Sequence, residues 1–177
     1  MRLLILTATV GMALVVAAPA GAGPPKFKGK TIVTGTSIGG VKVGMSKAKA
    51  IKVWGKPNEC RSDQYAITTC LYVNASGQQS YGEFRLRKGK VIAVAIDKST
   101  RLRTAKRIRI GSTMAAARKA YGIPAPTNQG EAERTRALYK KGKRCTQFYG
   151  DLSNGDGLVS QITVGLCQVK LYDGGVQ

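Results

Sequence analysis

Residues 41–46, Val-Lys-Val-Gly-Met-Ser, form the stretch on which the predicted fold depends, because a near copy, Ile-Arg-Ile-Gly-Ser-Thr, occupies residues 108–113. Each copy runs on to a similar stop, Trp-Gly-Lys-Pro at 54–57 and Tyr-Gly-Ile-Pro at 121–124. A fixed spacing of 67 residues between equivalent glycines is typical of one supersecondary unit copied in tandem. The pattern therefore predicts a chain built from two repeats.

Each copy predicts one short helix. Ser46 and Thr113 stand where an N-cap is expected, and apolar residues follow at near-helical spacing. Gly55 and Gly122 provide a left-handed exit, and a proline two residues later prevents continuation. Helices of about nine residues do not persist alone in water, so they require a sheet to pack on.

Three strand-like segments, rich in β-branched and aromatic residues, follow each predicted helix. They are 65–73, 84–87 and 91–96 in the first half, and 136–139, 146–149 and 158–164 in the second. The predicted fold class is α+β, with two tandem repeats that each comprise a short helix followed by a three-stranded antiparallel meander. Such sheets lie side by side or join edge to edge, and either arrangement leaves one broad face not covered by helices.

The start of the chain predicts export. Residues 1–22 contain an apolar core from Leu3 to Ala18 followed by small residues, which is typical of a cleaved signal peptide. No later segment is long and apolar enough to span a membrane. The predicted divisions are a signal peptide at 1–22, a basic leader at 23–36, a first repeat at 37–98 and a second repeat at 99–177. The predicted location is secreted or otherwise extracytoplasmic.

The four cysteines, Cys60, Cys70, Cys145 and Cys167, all lie beyond the predicted signal peptide. An even number in an exported chain indicates two disulfides, for which three pairings are open. We favour Cys60 with Cys70 and Cys145 with Cys167, because each bond then joins segments that are close in the chain. Zinc binding is the competing interpretation. It lacks both Cys-x-x-Cys spacing and histidine, so we predict no metal and no cofactor.

The sequence contains no histidine. Histidine is the usual general base and a member of the common catalytic triads. The segment from Gly35 to Gly39 matches the spacing of a nucleophile elbow, but without a histidine partner it is better interpreted as a turn. We therefore predict no enzymatic activity and no catalytic residues.

The chain is strongly basic, with 29 Lys and Arg against 9 Asp and Glu and a formal net charge of +20. Such an excess attracts acidic proteins and polyanions. The candidate binding cations fall at a first hairpin tip, a junction between the repeats and a second hairpin tip: Arg85, Arg87, Lys88 and Lys90; Arg101, Arg103, Lys106, Arg107 and Arg109; and Lys140, Lys141, Lys143 and Arg144. Turns related by duplication are expected on one side of the molecule, where they would share an anionic ligand or partner. The alternative is that these cations form the solvated faces of strands.

Three tyrosines are candidates for partner contact on the uncovered sheet face. Tyr72, Tyr139 and Tyr149 lie in predicted strands, and aromatic side chains are enriched where proteins bind one another. The alternative is that they pack within the core or across strands.

The order Gly-Met-Ser, helix, aromatic, Gly-x-Pro, and strands with a Lys-Gly-Lys-Val turn resembles the repeat of the secreted β-lactamase inhibitor proteins. It also resembles the BamE/SmpA-type outer-membrane assembly lipoproteins. The resemblance spans about Ser37 to Cys167. It implies a helix-plus-meander fold and a concave sheet that binds a partner protein. No cysteine stands at the predicted cleavage site, so a lipid anchor is not expected.

These features predict a secreted, non-enzymatic binding protein that engages a protein or cell-envelope partner through an open sheet face and basic hairpin tips. The alternative is an electrostatic binder of anionic polymers such as wall phosphates or nucleic acid. Nucleic acid is the less favoured partner.

Overall fold

The computed structural model of the protein describes residues 24–27, 29, 31–74, 76–97, 101–125, 136–151 and 157–167. Two helices, α1 and α2, occupy Lys47–Trp54 and Met114–Tyr121. The strands are β1 (Thr31–Val33), β2 (Ser37–Ile38), β3 (Val41–Lys42), β4 (Glu59–Ser62), β5 (Ile67–Val73), β6 (Ser80–Arg87), β7 (Lys90–Ile96), β8 (Arg103–Thr104), β9 (Arg136–Lys141), β10 (Arg144–Asp151) and β11 (Leu158–Leu166). Neither helix in these ranges has the length and apolar character that crossing a membrane requires.

The longer strands form one seven-stranded sheet in the order β4-β5-β6-β7-β11-β10-β9, with antiparallel neighbours throughout. The pairing of β7 with β11 joins the two halves of the chain and places Val94 opposite Val164. The shortest strands form a second sheet of four in the order β3-β2-β1-β8. Within it, β1 is antiparallel to β2 and parallel to β8.

The predicted fold class, two tandem repeats of a helix and a three-stranded meander, is wrong. The described chain is mostly β, with two short helices against sheets of four and seven strands. Four strands rather than three follow α1, because β4 pairs with β5. The second sheet uses residues 31–33, which were predicted as leader. Strands of two or three residues are too short to show the alternation by which a strand is recognised. The predicted boundary between residues 98 and 99 touches residues outside the described ranges.

Both helices begin and end where the capping residues predict. Ser46 accepts a hydrogen bond from the Lys49 amide at 3.5 Å, and Thr113 accepts one from the Ala116 amide at 3.1 Å. Gly122 has a φ of 62° in the left-handed region, which a residue with a side chain adopts only with strain. The helices are therefore fixed by local sequence at both ends.

The main core lies between the helices, the small sheet and one face of the large sheet. Trp54 of α1 is 1 % exposed, and its ring meets those of Tyr72 at 5.4 Å and Phe84 at 6.2 Å. Under α2, Tyr121 meets Phe148 at 5.3 Å between ring centroids. Burial of aromatic side chains of this size contributes much of the stability of a small domain.

Two disulfides reinforce the large sheet, and the favoured pairing is confirmed. Cys60 and Cys70 are directly opposite each other on β4 and β5, so their bond holds the edge strand. Cys145 of β10 is joined to Cys167, the residue that follows β11. Both bonds connect neighbouring strands, as expected from residues close in the chain.

Candidate functional site

The large sheet has one face that no described helix or strand covers, which we call the helix-free face. Because side chains alternate along a strand, the residues on either side of each core residue point to this face. From the register it comprises Glu83, Arg85, Ala93, Ala95, Cys145, Gln147, Tyr149, Gln161, Thr163 and Gly165 in its central four strands. The described helices and the small sheet pack on the other side of the large sheet, although most residues of the helix-free face are themselves buried.

A second apolar cluster lies on this face, separate from the main core. Ile92, Ala93 and Cys145 form its buried part. The residues packed around them are only partly buried: Ile67, Leu138, Leu166 and Cys167. The centre of the cluster is buried within the chain, with Ala93 2% and Cys145 1% exposed, so only its surrounding residues offer apolar contact to a partner. Apolar contact of this kind is found at the middle of protein–protein interfaces.

The two predicted basic tips lie side by side at one end of the strands of the large sheet. Arg87 and Lys90 are paired on either side of the β6–β7 turn. Lys141 and Arg144 are paired in the same way on either side of the β9–β10 turn. Arg144 is opposite Leu166 at the end of β11, which places both turns at the same end of the strands. Only β11 separates β7 from β10, so these hairpins are about 10 Å apart at strand spacing.

We call the exposed cations of these two tips the basic edge. It comprises Arg87, Lys88, Lys90, Lys140, Lys141, Lys143 and Arg144. The ion pairs among the described residues are Arg61 with Glu59 and Arg85 with Glu83. Neither involves the basic edge, so within the described ranges its charge is not neutralised by a carboxylate. Arg85, which was predicted with the first tip, is not part of the basic edge. It lies on the helix-free face, where its Nε donates a hydrogen bond to Glu83 Oε1 at 2.7 Å.

A cleft of about 330 Å³ opens where the basic edge meets the apolar cluster. Its lining is Lys140, Gly142, Lys143, Leu166 and Cys167. The disulfide to Cys145 and a hydrogen bond from the Cys167 amide to the Lys143 carbonyl at 3.0 Å hold this corner together. The cleft thus joins an apolar floor to two lysine side chains.

The predicted junction cluster lies on the other side of the molecule. Arg103 belongs to β8 of the small sheet, which packs on the helix-covered side through Leu102 and Ile108. The Lys106 ammonium donates to the Ala120 carbonyl at the end of α2 and stands 5.3 Å from the Tyr121 ring centroid. The remaining predicted cations of this cluster are exposed: Arg101, Arg107 and Arg109. The junction therefore does not adjoin the helix-free face.

The three predicted contact tyrosines lie in different surroundings in the structure. Tyr72 is fully buried and its hydroxyl donates to the Gly55 carbonyl at 2.7 Å, so its prediction as a contact residue is wrong. Tyr139 packs on Tyr121 at 4.9 Å on the helix-covered side, which argues against contact there as well. Of the three, Tyr149 lies on the helix-free face. The face on which each tyrosine lies follows from the alternation of side chains along its strand.

Sequence reasoning missed a band of polar side chains on the same face. In the amide orientation that satisfies its neighbours, the buried Gln147 accepts from Arg136 Nη2 at 3.2 Å and donates to the Tyr149 hydroxyl at 3.1 Å. Burial raises the pKa of the Glu83 carboxyl, and Arg85 opposes that shift. The missed signal is polar residues at alternate positions of the long strands. Within the described residues, no three of His, Cys, Asp or Glu are grouped so as to hold a metal ion.

Two solved structures share the fold. An extracellular protein containing an SCP domain, from Bacillus anthracis str. Ames, aligns with a TM-score of 0.56 at 12% identity over 71% of this chain and 44% of that one. A cysteine-rich secretory protein from Staphylococcus aureus subsp. aureus Mu50 aligns with a TM-score of 0.53 at 16% identity over 83% of this chain and 49% of that one. This chain thus spans less than half the length of each, and at such identities the likeness shows the fold alone.

No protein-family model and no curated protein matches the chain. The predicted resemblance to the β-lactamase inhibitor proteins and the BamE/SmpA-type lipoproteins is wrong, because the solved structures that share the fold are described as SCP-domain and cysteine-rich secretory proteins. The motifs behind that resemblance were cap, stop and turn residues. Any backbone with a short helix and a hairpin requires them, so they do not distinguish one family from another.

Proposed function

We propose that this protein is a secreted, non-enzymatic binding protein that docks on an acidic protein through its helix-free face and basic edge. The observation that carries the proposal is the apolar cluster around Ala93, which no described element covers and which the basic edge borders. Stable interfaces have an apolar centre and a polar rim, and both parts are present here.

Export is supported by two separate features. The first 22 residues have the pattern of a signal peptide, and the two disulfides are bonds that persist in oxidising compartments. The two structural neighbours are themselves described as extracellular and secretory. The lack of histidine supports a role in binding rather than in acid–base catalysis.

Charge supports an acidic partner. The basic edge contributes seven exposed cations on one side of the sheet, and its described surroundings contain no carboxylate paired to them. Opposite charges across an interface speed association and exclude partners of the wrong sign. The apolar cluster then provides contact area that is insensitive to salt.

Capture from the culture supernatant and the envelope fraction of the source organism tests the proposal. The mature, oxidised protein is the bait, and the variant Lys140→Glu/Lys143→Glu should bind the captured protein about tenfold more weakly, because it reverses two charges beside the apolar cluster. The matched control is Arg101→Glu/Arg109→Glu, which makes the same change of charge on the small-sheet side. Equal losses in both variants, or none in either, would contradict docking through this face.

The second candidate, binding of an anionic polymer, is favoured by the exposed cations of the junction cluster, which extend the positive charge to the other side. Polymer binding depends steeply on salt, because each neutralised phosphate releases a counterion. The dissociation constant of the captured partner, measured at low and at physiological salt, separates the two candidates. A protein docked on the apolar cluster retains most of its affinity, whereas a polymer held by charge loses most of it.

A further inference from the structure

Ala95 lies on the helix-free face, away from the basic edge, and is surrounded by four longer polar side chains. The register places Glu83 opposite Ala95 on β6 and Thr163 opposite it on β11. Asp97 follows Ala95 by two residues, and Gln161 precedes Thr163 by two. Since residues i and i+2 of a strand share a face, these side chains surround the Ala95 methyl group. We call Glu83, Asp97, Gln161 and Thr163 the acceptor cluster.

Two oxygen atoms of the acceptor cluster lack a hydrogen-bond partner among the described residues. Thr163 Oγ1 and Gln161 Oε1 are buried without one, and Thr163 is only 1% exposed. The Gln161 amide nitrogen already donates to Asp97 Oδ1. Leaving a buried polar atom unpaired destabilises a folded protein, and native proteins seldom leave such atoms unpaired. The group that completes this cluster must therefore donate hydrogen bonds.

The charge of the cluster is negative, in a protein whose formal net charge is +20. Glu83 is paired with Arg85 at 2.7 Å, and the two charges offset each other. Asp97 forms no ion pair with a described residue, and it follows Ala95, the residue opposite Glu83, by two positions on the same face. Burial raises the pKa of the Glu83 carboxyl, and the charge of Asp97 adds to that shift. One carboxylate charge is left over beside two unpaired oxygens.

We propose that the acceptor cluster binds the ammonium or guanidinium group of a Lys or Arg side chain presented by the protein partner. This inference rests on the proposed function, because the side chain belongs to a protein that docks on the helix-free face. A cationic group donates hydrogen bonds to Gln161 Oε1 and Thr163 Oγ1 and offsets the charge of Asp97. Gln161 and Asp97 are partly exposed, which gives the group its approach. An anion provides no donor, and water leaves the charge of Asp97 uncompensated.

The acceptor cluster and the basic edge would together fix how a partner sits. Lys90 precedes Ala95 by five residues of the same strand, so the negative and positive regions are about 17 Å apart. A partner therefore needs an acidic patch and a Lys or Arg side chain at that separation. A reversed partner would place like charges together, which is unfavourable at an interface.

Titration with methylguanidinium, followed by amide NMR, tests the inference without the partner. We expect saturable shifts of the Ala95, Gln161 and Thr163 backbone amides and of the Gln161 side-chain amide. Acetate and N-methylacetamide, which are anionic and neutral, should leave these signals in place. Shifts that are absent, that do not saturate, or that are equally large with N-methylacetamide overturn the inference.

Three variants locate the binding. Asp97→Asn should weaken methylguanidinium binding about threefold by removing the charge, and Thr163→Val should weaken it by removing an acceptor. Thr69→Val makes the same change on β5, outside the cluster, and should leave the affinity unchanged. Equal affinity in Asp97→Asn and the parent protein counts against the cluster. If the cluster fails while Lys140→Glu/Lys143→Glu still impairs partner capture, the docking surface stands and only this subsite is removed.

Discussion

At the scale of single residues, two glycines mark places where neighbouring groups approach the backbone closely. A Cβ atom at Gly82 would lie 2.5 Å from the Ala95 carbonyl oxygen and 3.3 Å from Ile96 Cα, both in the backbone of β7. A Cβ atom at Gly150 would lie 2.6 Å from Met114 Cγ, which belongs to a flexible side chain. The same substitution therefore meets a fixed obstacle at one site and a movable one at the other.

We expect Gly82→Ala to lower the free energy of unfolding by about 1–3 kcal/mol, as overpacking against a fixed backbone does. Gly150→Ala is the matched control and should cost less, because the Met114 side chain can rotate away. Urea unfolding of both variants gives the comparison. A loss at Gly150 equal to or larger than that at Gly82 would show that the approach of β6 to β7 is not the limiting contact.

At the scale of elements, the helices were predictable and the edge strand β4 of the large sheet was not. Ser46 and Thr113 stand at N-caps whose hydrogen bonds are local, so the sequence contains all the information that places them. Strand β4, with the sequence Glu-Cys-Arg-Ser, has no apolar alternation and is defined by its pairing and its disulfide to β5. Such strands depend on contacts distant in sequence, which a local pattern does not record.

The candidate site was predictable in part for the same reason. The basic tips are turn residues with a local signal, and their position along one edge followed from the antiparallel hairpins. The acceptor cluster was missed because Glu83, Gln161 and Thr163 come together only when β7 pairs with β11. Tyr72 was misassigned because a tyrosine in a strand has equal local features whichever face it occupies.

The two disulfides allow a test at the scale of elements. Removing Cys145–Cys167 as a double alanine variant should cost about 3.4 kcal/mol, and removing Cys60–Cys70 about 2.7 kcal/mol, because the sequence separations they close are 22 and 10 residues. Loss of the first bond also loosens the apolar cluster, so partner capture should fall only in that variant. Unfolding in guanidinium and the capture assay supply the two measurements. A larger stability loss from the Cys60–Cys70 variant would contradict the loop-length argument.

At the scale of the whole molecule, charge opposes compactness. A formal net charge of +20 makes the folded chain repel itself, and the two described ion pairs offset little of that. Added sodium chloride screens this repulsion. We expect Tm to rise between low and physiological ionic strength and to rise less in a variant whose basic-edge lysines are replaced by serine. A Tm that falls with salt would mean that attractive pairs outweigh the repulsion.

The pairing of β7 with β11 also affects how the protein is made. Val94 is paired with Val164, a residue that leaves the ribosome seventy positions later. Until then, β7 presents an unpaired apolar edge, which is a template for association with other nascent chains. Contacts so distant in sequence also form slowly. Synthesis thus has a vulnerable interval that closes only when β11 emerges, and a chain truncated before residue 158 would remain in it.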